Sequence, residues 1–83
     1  MNYQISYEKR ALIELRKLDK LLAKRIIKKI RELETDPFSK DIKRLKGQPL
    51  FRLRVGDYRV LFELLEKEIK IIKVGHRKNI YDE

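Results

Sequence analysis

The chain has no cysteine and no tryptophan, one histidine, two prolines and three glycines in 83 residues. Without cysteine it can form neither disulfides nor a thiolate metal site, a composition that fits a reducing cytoplasm. One histidine, and no acidic residues clustered at ligand spacing, leave no basis for a metal centre, and no cofactor is expected. So few glycines form no phosphate-cradling loop, which argues against nucleotide hydrolysis. No apolar run approaches the ~20 residues that cross a bilayer. The first six residues lack the basic-then-apolar pattern of an export leader. The expectation is one cytoplasmic domain spanning 1–83, without membrane contact.

Acidic residues are also in short supply: 13 Asp and Glu stand against 22 Lys and Arg, for a net charge of +9. Such an excess calls for a polyanionic or acidic partner, with nucleic acid the first choice. Heat adaptation also enriches charged residues, but it does not account for the imbalance.

Along the chain, residues 2–7 alternate and read as a short strand. Ser6 is placed to cap a helix carrying Ala11, Leu12, Leu15 and Leu18 at helical spacing. Asp19 reads as a second N-cap, ahead of a longer stripe of Leu22, Ala23, Ile26, Ile27, Ile30 and Leu33. Asp36-Pro37 ends that helix, because the residue before proline avoids helical geometry. Residues 36–49 read as a loop bearing Lys40, Lys43, Arg44 and Lys46. Three strands follow near 50–55, 57–65 and 69–76, with turns at Gly56-Asp57 and around Glu66-Lys67-Glu68. The predicted fold class is α+β: a small antiparallel sheet packed on an N-terminal helical hairpin, in the order β-α-α-β-β-β.

Strand alternation separates Phe51, Leu53 and Val55 from Arg52 and Arg54, and Tyr58, Val60 and Phe62 from Arg59. On the last strand it groups Ile72 and Val74 against Lys73 and Arg77. If the helices cover the apolar side, five cations share the open one: Arg52, Arg54, Arg59, Lys73 and Arg77. The plainer reading is a solvated face whose charges are paired by Glu63 and Glu66. Packed like charges repel, however, so stability alone would not select the cluster. Arginine forks bridge phosphate oxygens and stay charged. They suit a phosphate under attack by a ribose 2′-OH, but they are poor general bases. Proton transfer falls to Lys46, His76 or Tyr81, and alternation places His76 away from Arg77. A second basic surface, with Lys24, Arg25, Lys28, Lys29 and Arg31, lies on the longer helix. It could lie along a phosphate backbone, but an ordinary solvated helix face is the favoured explanation.

The segments Arg10-Ala-x-x-Glu14-Leu-x-Lys17-Leu18, Leu45-Lys-Gly47, Phe51-Arg-Leu-Arg-Val-Gly-Asp-Tyr-Arg59 and Val74-Gly-His-Arg-Lys-Asn-Ile-Tyr81 resemble the RelE branch of the RelE/ParE toxin superfamily. The likeness spans nearly the whole chain. It implies an mRNA interferase of a type II toxin–antitoxin system, which cuts mRNA in the ribosomal A site without metal and is blocked by a cognate RelB-like antitoxin. It also implies site roles. Arg59 and Arg77 match phosphate-stabilising arginines, and Arg52 falls at a catalytic lysine position. Lys46 matches a basic loop residue, and Tyr81 a tyrosine for stacking or proton transfer. Arg54, Lys73, Lys43 and Arg44 are the expected RNA contacts. Leu50 stands where the family has a second lysine. The rival readings are a ParE-like inhibitor of DNA gyrase and a non-catalytic RNA-binding or degenerate toxin. For the antitoxin, Leu61 and Ile71 are the apolar residues expected to be exposed on the sheet.

Overall fold

The computed structural model describes residues 2–80. Its elements in chain order are β1 (Gln4–Tyr7), α1 (Lys9–Arg16), α2 (Lys20–Glu32), β2 (Ile42–Arg44), β3 (Phe51–Val55), β4 (Tyr58–Leu64) and β5 (Glu68–His76). The strands form one sheet in the order β1-β5-β4-β3-β2. The three expected C-terminal strands are antiparallel and β2 adds a fourth, but the sheet is mixed rather than wholly antiparallel, because β1 joins the edge of β5 in parallel, Ile5 opposite Ile69. Among the described residues no helix is long and apolar enough to cross a membrane.

The helices begin and end for local reasons. The Asp19 carboxylate accepts the Leu21 N–H at 3.1 Å, satisfying a donor that the first turn of α2 leaves open. Ser6 does not cap α1. It lies within β1 and donates to Glu68 at 2.5 Å, while Glu8 holds the cap position without a side-chain bond. Both helices bury one stripe, Ala11 and Leu15 on α1, Ile26 and Ile30 on α2, with Leu33 just beyond. These pack on Leu53, Val55, Val60, Phe62, Ile69, Ile71 and Val74 from one side of the sheet. Phe51 and Phe62, cross-strand partners, stack at 5.6 Å.

Two departures from simple alternation matter. The 36–49 segment contains a real strand, β2, whose three residues pair with the free edge of β3. So short a strand shows no periodicity of its own. The second departure is a bulge in β5. Leu61 lies opposite Lys73 but Phe62 opposite Ile71, so Ile72 is an extra residue without a partner. The bulge reverses the phase of the strand. Ile69 and Ile71 are fully buried in the core before it, and Val74 after it. The expected pairing of Ile72 with Val74 on the core side is therefore incorrect. So is the expected exposure of Ile71 (0%) and Leu61 (6%).

Candidate nucleic-acid interface

The helices cover one side of the sheet and leave the other uncovered, so the register decides which cations share the open side. Residues directly opposite point the same way, with Cβ atoms about 4.5–5.5 Å apart. One row across the sheet runs Lys43, Arg52, Leu61, Lys73, and the next runs Arg54, Arg59, Gly75. Arg77 follows β5, its N–H donating to the Asp57 carbonyl at 2.8 Å, which sets it beside the β3–β4 turn. That turn is tight because Gly56 adopts a left-handed φ of 59°, as a two-residue hairpin with glycine first requires.

Local partners hold Arg54, Arg59 and Arg77 in place. Arg59 Nη1 donates to the carbonyls of Gly56 (2.8 Å) and Tyr58 (2.9 Å), which fixes the fork at the turn. Arg54 pairs with Asp41 at 2.9 Å and Arg77 with Asp57 at 3.6 Å. These carboxylates, rather than Glu63 and Glu66, are the partners. Both ion pairs reach solvent, and such pairs contribute about 0–1 kcal/mol, little enough for a phosphate to displace. Arg52 Nε is buried and has no hydrogen-bond partner among the described residues. Such an orphaned donor costs free energy until an acceptor reaches the guanidinium. Lys73, 9% exposed, is the most enclosed cation on this face.

The remaining sequence-predicted residues lie elsewhere. Arg44 falls opposite Phe51, out of phase with Lys43 and Arg52. Lys46 lines a shallow groove with Gly47 and Pro49 in the β2–β3 connection. It lies beyond the opposite end of β3 from Arg77, and five strand residues span about 17 Å. Tyr81 is outside the described residues. His76 faces away from the arginines, edge-on to Tyr58 at 5.4 Å, and its Nδ1 accepts the Lys78 N–H at 3.1 Å. The sequence reading missed Glu14, whose carboxylate accepts the Val74 N–H at 2.7 Å, and the apolar residues gathered around Leu61. The Arg10-to-Glu14 motif was visible, but its tertiary partner was not.

The family model for the ParE toxin of type II toxin–antitoxin systems, parDE, matches residues 5–81. The chain is 34% identical to a candidate toxin designated RelE1 in Methanocaldococcus jannaschii, over 98% of this chain and 97% of that one. The archaeal RelE of the Pyrococcus horikoshii OT3 RelE–RelB complex superposes with a TM-score of 0.82 at 31% identity, covering 95% of this chain and 99% of that one. A double arginine-to-alanine mutant of Escherichia coli toxin RelE, in the free state, superposes with a TM-score of 0.81 at 25% identity, covering 94% of this chain and 86% of that one. The chain belongs to this toxin family, within its RelE branch.

Proposed function

We propose that this toxin is a ribosome-dependent endoribonuclease that cuts mRNA in the A site without a metal ion. In this mechanism a ribose 2′-oxygen attacks the adjacent phosphorus and loses its proton to a base. The P–O5′ bond breaks and the 5′-oxygen takes up a proton. The products are a 2′,3′-cyclic phosphate and a free 5′-hydroxyl. Arg59 and Arg77 stabilise the pentacoordinate phosphate. Arg52, Arg54 and Lys73 hold flanking phosphates, with Lys43 further out along the backbone; Arg44, out of phase with them, has no place on this face. Tyr81 is the group left to move protons, since a guanidinium scarcely deprotonates and Lys46 lies beyond the far end of β3 from Arg77. A RelB-like antitoxin, of the kind seen with the archaeal relative, covers the face in a cytoplasm where ribosomes are accessible.

One observation carries this reading: the register gathers Arg52, Arg54, Arg59 and Lys73 on the side without helices. Arg59→Ala and Arg77→Ala are each expected to lower single-turnover cleavage by roughly 10²–10³-fold, as loss of a transition-state donor does. Growth arrest should disappear with it. Intact messages in cells arrested by the wild-type toxin would refute the proposal. The second reading, gyrase inhibition, draws on the ParE description of the matching family model. Gyrase-linked DNA breaks without translation arrest would favour it.

A further inference from the structure

The helix-free face carries a second, smaller apolar cluster, separate from the main core. Leu61 (6% exposed) and Ile80 (1%) are both buried there. With Leu45, Leu50, Ile72 and Gln48, and with the cations Arg10 and Lys73, they line a cavity of about 280 Å³. Three local features build it. The β5 bulge releases Ile72 from the core phase and presents it beside Lys73. The β2–β3 connection closes on itself, Leu45 N–H to the Leu50 carbonyl at 2.9 Å, and brings Leu45, Gln48 and Leu50 to the rim. After His76 the chain turns back, Ile80 N–H to the His76 carbonyl at 3.0 Å, and lays Ile80 on Gly75. A Cβ at Gly75 would stand 3.1 Å from Ile80 Cδ1, so glycine lets Ile80 settle here without the small shift a larger residue would require.

We infer that this cavity receives one unpaired nucleobase of the message, beside the phosphate held by the arginines; the inference rests on the nuclease reading. Charge selects the ligand. Leu61 lies in the row between Arg52 and Lys73, so phosphates can be held on either side of an inserted base. Size limits it: the volume sits just below the ~300–1,000 Å³ range of small-molecule pockets and suits one ring system. The aliphatic walls can sandwich a planar base, as apolar side chains do for extruded bases. Gln48 adds an amide with one acceptor oxygen and two donor hydrogens, the groups that read a base edge. Leu50 thereby gains a role as one of the aliphatic walls of the cavity.

The test uses ribosomes programmed with messages carrying an abasic nucleotide at each A-site position in turn. With wild-type toxin, one position should lose about tenfold in single-turnover cleavage, the effect of removing one stacked base. Leu50→Trp, which fills the cavity, should cut the unmodified message at that same reduced rate and ignore the abasic change. Gln48→Ala, on an exposed loop, should fold normally and flatten discrimination among the four bases at that position. Wild-type rates within about twofold across all abasic messages would overturn the base pocket while leaving cleavage by the arginine face intact. Unaltered base discrimination in Gln48→Ala would remove its reading role. Absence of cleavage on every message would overturn the nuclease reading and the pocket together.

Discussion

Glu14 resolves a problem that the fold creates. Parallel pairing with β1 ends at Tyr7 opposite Ile71, so the edge of β5 beyond that point has no strand beside it. Glu14 reaches from α1 to accept the Val74 N–H at 2.7 Å, and its other oxygen lies 3.3 Å from Arg10 Nε. Glu14→Leu is expected to cost about 1–3 kcal/mol, the penalty for an unsatisfied buried donor. Glu14→Gln retains an acceptor and should recover most of it, as measured by urea unfolding. Tyr7 makes a second residue-scale prediction. Burial pushes its phenol above the ordinary value, Arg31 opposes the shift and Glu34 adds to it. The fold thus favours the neutral phenol. That stability is fully present below about pH 10, the ordinary tyrosine value, and is lost as pH rises through the folded value. Tyr7→Phe should flatten the alkaline fall in stability; an unchanged alkaline limb would show that another group controls it.

At the level of the strand, the bulge in β5 joins core and site. A regular strand would alternate from Ile69 to His76 and bury either Ile71 or Val74, but not both. The extra residue at Ile72 lets both enter the core and returns Lys73 and Gly75 to the open face. Substitutions separate the two arrangements. Ile71→Ala should destabilise by about 2–5 kcal/mol, as a buried isoleucine truncation does. Ile72→Ala should cost markedly less and should act on cleavage instead. Equal losses in denaturant midpoint would contradict the bulged register. The longer helix shows a simpler pattern: Lys24, Arg25, Lys28 and Arg31 are exposed, while Ile26 and Ile30 are buried.

Across the whole molecule, the helices give the sheet one covered and one open side, and Arg52, Arg54, Arg59 and Lys73 share the open one. Binding to single-stranded RNA should therefore weaken steeply with salt. Each neutralised phosphate contributes a log–log slope of roughly −0.7 on a single strand. Four or five contacts would give about −3, and Arg54→Ala should make the slope shallower by roughly one contact. A slope near zero in fluorescence anisotropy would mean that the face does not hold phosphates. Asp41 and Asp57 moderate this charge by pairing with Arg54 and Arg77.

Local rules in the sequence determined the elements themselves. Helical spacing set α1 and α2, Asp19 capped the second, Gly56-Asp57 turned the hairpin, and period-two alternation set Arg52, Arg54 and Arg59 against Phe51, Leu53 and Val60. These depend on neighbours a few residues away, so one chain suffices to read them. The tertiary structure alone decided what depends on distant partners. It placed β1 beside β5, joined three residues of β2 to the sheet, and inserted the bulge that exchanges Ile71 and Ile72. It also buried Leu61 beneath Ile80, and carried Lys46 beyond the strand end opposite Arg77. Register is a relation between strands, and no stretch of a single strand contains it.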